Sequence, residues 1–557
     1  MISCCFFISI GVSRAVPIDA PKVKLQAPLF DNLGTFHHPI STKDPLAQRF
    51  FDQGLLLFYA FDYGESIRSF REAIRLDPSC AMCHWGLALA LSSKTNTPLN
   101  GHENQEAFNA IKKAQQIVDP KNPIEKAYIN ALAKRVTSKS VSSKKMTGSC
   151  CMVGDKLPGS QEALNYAKAM HKVMQQFPND LDAKNLYVFA IFDVNNWDFF
   201  STDGKPKPNT LAIIKVLKEV LRVDPKNIAA NHYYIHVLEQ SSHPEQALSS
   251  ANFLRDAVPG AEHLLHMPAH IYFNLGRYQD AIIANQKAIA AIKKYQTNTL
   301  TQGFKPEINY LYLHNLQFLW AAASMSGQSA LAQKTARELV RETPAAWLKQ
   351  ENYLQSSLPY PYYSEVRFGK WPEILNEAKP ADTFQYTIGM WHYARGLANI
   401  KLNHIKAAEN DLQKLRAIVK QGPIDKNLGS FGLDQLNIAL HILEAAFAEK
   451  KENNRAMLEH LKKAVQIEDN IGYREPPAWY FPTREALGYA LLKKGRFAEA
   501  AIAFELDLKK YPNNGWALFG LAKTMQQLGR KAEANRLEKA FKASWQHADI
   551  ATPPSLF

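Results

Sequence analysis

The chain has 557 residues, of which 46% are apolar and 21% charged, with a formal charge of +14. That length exceeds what one compact core fills, so several domains or a quasi-one-dimensional repeat stack is expected, and no interior stretch reaches the roughly 18 to 20 apolar residues of a membrane span. The Lys and Arg residues are spread along the sequence without any nucleic-acid-binding motif, so the charge reads as solvated helix face and no nucleic-acid partner is expected.

The segment 1–15 holds an apolar run from Cys4 to Val12 and then Ser13-Arg14-Ala15, a small-x-small cleavage pattern, although no basic residue precedes the run. It reads as a secretory signal peptide, which would put the mature chain in the periplasm or outside the cell, with no transmembrane segment. The mature cysteines are then Cys80, Cys83, Cys150 and Cys151, enough for up to two disulfides whose pairing the spacing leaves open. Residues 16–46 read as an N-terminal strap. His37-His38-Pro39 lies within it and is placed either to fold back as an outside ligand or to belong to the strap itself.

From 47 to 547 the sequence repeats. Phe50 to Pro78 is a first copy, ending at Asp77-Pro78. Cys80-Ala81-Met82-Cys83-His84 follows and matches the C-x-x-C-H pattern of covalent haem attachment, but it also occupies the start of a repeat helix, where small residues pack well. Thr137 to Ser160, rich in Ser, Lys and Gly, interrupts the repeat as an insertion at 137–160, and Asp198 to Pro208 reads as a turn-rich loop. Pro225 and Pro259 are 34 residues apart; Leu264 to Ile292, Ala323 to Val340, Gly389 to Leu415 and Asp434 to Ile467 continue the series. Toward the end, Leu487 and Leu521, Gly495 and Gly529, and Ala500 and Ala534 are again 34 apart, and both copies carry G-R-x-A-E-A. Residues 548–557 form a C-terminal tail.

Each part of the unit has a physical reason. Gly ends a helix by taking a positive φ, a small residue lets two helices approach closely, and Pro cannot continue a helix. A 34-residue period of helix, turn, helix and breaker resembles the tetratricopeptide repeat over nearly the whole chain. The strings DPSCAMCHWG, NHYYIH, HMPAHIY and NGWALFGLA are more narrowly similar to a family of exported bacterial repeat proteins, a resemblance that implies a fold and an address but no reaction. The fold implied is an all-α superhelical solenoid. In that family the residue after the second Cys varies, which haem ligation would not allow, so the resemblance favours a disulfide or buried thiols at Cys80 and Cys83 over haem.

Seven of the 17 histidines fall between 232 and 314: His232, His236, His243, His263, His266, His270 and His314. His232 pairs with His266, and His236 with His270, at the repeat spacing of 34. These are the fifth and ninth positions of their helices, which in tetratricopeptide proteins line the concave groove. Glu239 follows His236 on the same face, and His263 keeps a face with His266 and His270. Imidazole and carboxylate without a thiolate suit Zn, Cu, Fe, Ni or Mn, and helices about 8 to 10 Å apart can share an ion. The expected metal set is therefore His232, His236, Glu239, His263, His266, His270 and His314. Pro268, between two of them, predicts a kinked helix. The reading is a binding protein whose concave groove takes a protein segment or small ligand and holds a transition metal; a metalloenzyme using the same cluster, or a metal-free interaction scaffold, are the alternatives.

Overall fold

In the computed structural model, residues 24–92, 101–137, 160–201, 204–306, 311–345, 348, 352–422 and 428–557 are described. The 1–15 segment read as a signal peptide, Cys150 and Cys151, and all but the edges of the 137–160 insertion lie outside these residues.

The described residues form helix after helix: α1 (Pro45–Tyr59), α2 (Tyr63–Leu76), α3 (Ala81–Ser92), α4 (Gly101–Ile117), α5 (Pro123–Leu132), α6 (Gln161–Gln176), α7 (Leu181–Asn195), α8 (Thr210–Val223) and α9 (Ile228–Leu238). The series continues with α10 (Leu248–Ala257), α11 (Glu262–His266), α12 (Pro268–Asn274), α13 (Tyr278–Thr301), α14 (Leu311–Met325), α15 (Ser329–Glu342), α16 (Tyr360–Arg367) and α17 (Trp371–Asn376). It closes with α18 (Gln385–Lys401), α19 (Ile405–Lys420), α20 (Gly429–Lys450), α21 (Asn454–Asn470), α22 (Thr483–Lys493), α23 (Phe497–Lys510), α24 (Gly515–Gln527) and α25 (Lys531–Ser544). Among the described residues the only β feature is one isolated bridge, Phe200 to Pro206, in the turn-rich loop. The chain is an all-α superhelical repeat, as its period predicts.

Local chemistry sets the boundaries. Asp44 caps α1 by accepting from the amides of Leu46 and Ala47, with Pro45 in the first turn where no amide is needed. Close packing depends on absent side chains: a Cβ on Gly488 or Gly520 would come within 2.6 and 2.3 Å of the Phe504 ring, which wedges between their two helices.

The superhelix closes on itself. In the strap, the Asn32 carbonyl accepts from the Gly260 amide at 2.9 Å, and the Gln302 side chain accepts from the Leu29 amide at 3.0 Å. At the other end, Tyr278 Oη donates to the Pro512 carbonyl at 3.0 Å, Trp516 Nε1 donates to the Ser324 carbonyl at 3.2 Å, and Asp549 of the tail caps α15 through the Ser329 and Ala330 amides. Both ends thus pack on the middle repeats, and the 471–482 segment between α21 and α22 brings Glu475 to His270 of α12.

Cys80 and Cys83 are bonded to each other, fully buried at the start of α3. Neither sulfur is then free for a thioether to haem.

Candidate metal centre

The helix predicted to run through Pro268 is parted. Met267 separates α11 from α12, and Pro268 starts the second piece, where its missing amide costs nothing. Helix α9 begins at Ile228 and α11 at Glu262, so His232 and His266 are both fifth residues and the 34-residue register holds in space. All six cluster histidines are buried, with 0 to 4% of their surface exposed. This corrects the expectation of an open groove. Phe61 and Trp197, both at positive φ, and Phe318 lie against the rings, and Glu475 reaches His270 from the 471–482 segment.

The rings divide into two triads. The ligating atoms of His232, His236 and His263 all lie within 4.8 Å of one another, and so do those of His266, His270 and His314. Within the first, His232 Nδ1 donates to the Tyr59 carbonyl at 2.7 Å, which leaves a lone pair on Nε2, a buried atom with no partner. His236 Nδ1 donates to Glu239 Oε1 at 3.2 Å, so its Nε2 also carries a lone pair, 3.4 Å from His263 Nε2.

In the second triad the tautomer is set two bonds away. Asn285 Nδ2 donates to the Ala281 carbonyl at 2.8 Å, which orients its Oδ1 to accept from His266 Nδ1 at 2.7 Å. His266 Nε2 is therefore an acceptor, and His270 Nε2 donates to it at 2.7 Å. His314 Nε2 is buried and unpartnered.

His270 Nδ1 meets two carboxylates: Glu239 Oε2 at 2.8 Å and Glu475 Oε2 at still closer range. Burial alone would depress this ring, but Glu475 and Glu239 outweigh it and raise its pKa to about 10, so it is an imidazolium. Glu475 is itself raised to about 8, first by burial and then by Glu239, and burial raises Glu239 as well. The other rings go the opposite way. Burial, reinforced by neighbouring imidazolium charge, holds His232, His236, His263 and His266 well below the usual histidine range and His314 at about 3. They stay neutral, the form that ligates.

The structure thus gathers all seven predicted residues, with Glu239 linking the triads. It adds Glu475, which the sequence reading missed. The available signal was the Pro- and aromatic-rich stretch E-P-P-A-W-Y-F-P, too irregular for a repeat helix, but nothing in it named a partner more than 200 positions upstream. His243 is exposed beside Glu245 and takes no part. In the strap, His38 Nδ1 meets Asp182 Oδ2 at 2.6 Å and His37 meets Asp52; neither reaches the cluster. A separate, half-buried group, His441, Glu444 and His460, also has ligand-like spacing, although the Arg416 guanidinium holds Glu444 at 2.9 Å.

Residues 51–94 match the tetratricopeptide repeat family model. No curated protein matches the sequence. Among solved structures, the human IFIT1 dimer with m7Gppp-AAAA is 14% identical over 91% of this chain and 91% of that one, with a TM-score of 0.29. The APC/C hetero-tetramer Cut9-Hcn1 is 14% identical over 90% of this chain and 88% of that one, with a TM-score of 0.28. The repeat matched at 51–94, continued by stacked helix pairs along the rest of the described chain, makes this a tetratricopeptide-repeat protein.

Proposed function

We propose that this chain is a repeat scaffold built around a buried transition-metal centre, with the imidazoles of α9, α11, α12 and α14 as ligands and Glu239 and Glu475 as the carboxylates that orient them. The observation that carries the reading is the set of lone pairs: His232 Nε2 and His314 Nε2 are fully buried, face other imidazoles and have no hydrogen-bond partner. A buried polar atom without a partner costs about 1 to 3 kcal/mol, and native proteins seldom leave several together without an ion or water to satisfy them. A metal ion bound by neutral imidazoles removes that cost, and the carboxylate behind His236 and His270 is the usual outer partner of a metal-bound histidine.

Of the expected metals, all-nitrogen ligation suits Zn, Cu, Fe or Ni better than Mn, which like Mg and Ca prefers oxygen. Export fits the same reading: the Cys80 to Cys83 disulfide is a bond that persists in oxidising compartments. The test is elemental analysis of protein purified without a His tag, with His441 and His460 replaced by alanine to remove the half-buried group. At least one equivalent of a first-row metal is expected, retained through dialysis. Protein that is metal-free as isolated and takes up neither Zn(II) nor Cu(II) afterwards would overturn the reading.

A further inference from the structure

We infer that the centre is dinuclear, one ion on His232, His236 and His263 and a second on His266, His270 and His314, with Glu239 bridging the two triads through the outer nitrogens of His236 and His270. This rests on the metal reading above and goes beyond it in number and arrangement.

Ring spacing decides between one ion and two. An imidazole nitrogen about 2.0 to 2.1 Å from an ion puts its ring centroid about 3.2 Å away, so two rings on a tetrahedral ion have centroids near 5.2 Å apart, and even opposed rings cannot exceed ~6.4 Å. In the first triad the centroid distances are 4.7 Å (His232 to His236), 4.9 Å (His232 to His263) and 5.6 Å (His236 to His263). In the second they are 4.7 Å (His266 to His270), 4.7 Å (His266 to His314) and 5.9 Å (His270 to His314). Both sets scatter around the tetrahedral value. Across the triads, His263 to His266 is 6.2 Å and His236 to His270 is 6.3 Å. Those separations sit at the limit for opposed ligands. One ion would have to place both pairs opposite one another at once, while leaving His232 and His314 on neither axis.

The nitrogen separation in the first triad agrees, while in the second His270 Nε2 and His266 Nε2 are 2.7 Å apart, a hydrogen bond that must open by several tenths of an ångström once the proton leaves and an ion enters. Two nitrogens on a tetrahedral ion at that bond length lie about 3.4 Å apart, and His236 Nε2 and His263 Nε2 are 3.4 Å apart. Each triad then supplies three protein ligands and leaves a fourth position open, the pattern of sites that bind water or a small exogenous ligand. Glu239 has one oxygen 3.2 Å from His236 Nδ1 and the other 2.8 Å from His270 Nδ1, so a single carboxylate orients one ligand in each triad. The cofactor inferred is therefore a pair of divalent first-row ions sharing one outer carboxylate.

The experiment is saturation with Zn(II), then with Cu(II), of the tag-free full chain carrying the His441→Ala and His460→Ala changes. Expected are two equivalents in the parent, one in His232→Ala, one in His314→Ala, and none in the double variant. With Cu(II), the electron paramagnetic resonance signal of the parent should be broadened or diminished by the neighbouring ion, and each single variant should give an isolated one-copper signal. One equivalent in the parent, with an isolated signal, overturns the dinuclear arrangement and leaves the metal reading standing. No binding overturns both. If an alanine variant loses helical content, the parent's stoichiometry and spectrum still decide.

Discussion

Replacing Glu475 by glutamine tests whether a loop of the C-terminal repeats sets the charge of a ring in the middle of the chain. In the metal-free protein His270 is raised from 6.5 to about 10 against the pull of burial, by Glu475 and Glu239. A net shift of that size corresponds to roughly 5 kcal/mol of preference for the charged ring, and because the two carboxylates must also offset burial, an even division assigns at least roughly 2 kcal/mol, or one to two pH units, to each. The sign is fixed by linkage. A histidine raised in the folded state contributes stability that is complete below pH 6.5 and is lost as pH climbs toward 10. Glu475, raised from 4.5 to about 8, costs stability progressively as pH climbs from 4.5 to 8, so both groups make the metal-free protein weaker with rising pH. The assay is nuclear magnetic resonance of metal-stripped protein labelled at histidine nitrogens. The His270 ring should stay protonated well above neutrality in the parent and titrate one to two units lower in Glu475→Gln. A His270 that titrates near 6.5, or one unmoved by Glu475→Gln, refutes the geometry.

Burial also sets how metal binding responds to pH. Because His232, His236 and His263 are held neutral well below their usual range, Zn(II) affinity at that triad should be nearly flat between pH 7.5 and 6, as isothermal titration of His314→Ala would show. Binding at the other triad must expel the His270 Nε2 proton, so its affinity, read in His232→Ala, should rise about tenfold per pH unit below 10; equal slopes in the two variants would refute the assignment of that proton. Replacing Cys80 and Cys83 by serine should lower the melting temperature without altering metal content. Gly276→Ala should destabilise strongly, by about 2 to 4 kcal/mol, because its φ is +68° and a Cβ there would fall 1.9 Å from the Pro512 carbonyl oxygen; calorimetry showing an unchanged melting profile would argue against the closed superhelix.

The period and the histidine register were legible because both depend on local chemistry. Gly276, Gly327, Gly495 and Gly529 all take positive φ at their turns, and His232 and His266 fall at the fifth residue of their helices. What the sequence could not reveal was how far the superhelix coils. That coiling puts Asn32 against Gly260, Pro512 against Gly276 and Glu475 against His270, contacts between residues more than 200 positions apart. Repeat patterns describe each unit and its neighbour, while curvature accumulates over many small rotations and has no single residue to announce it. The expected groove was therefore read as open, and the carboxylate that completes the site was missed.

That closure also bears on why the histidines are there. On an open groove, six imidazoles would be cheap, hydrated and weakly informative. Packed beneath Phe61, Trp197 and Phe318 with 0 to 4% exposure, they must find partners inside the protein, and the structure leaves His232 Nε2 and His314 Nε2 without one. Tyr59 carbonyl, Glu239 and Asn285 each take the Nδ1 proton of one ring, which turns the corresponding Nε2 lone pairs of His232, His236 and His266 inward. A fold that needed only to satisfy polar groups would also pair His232 Nε2 and His314 Nε2, which have no partner, or replace those rings with apolar residues of similar size. Fixing the outer nitrogen and presenting the inner one is the arrangement by which proteins orient metal-ligating histidines.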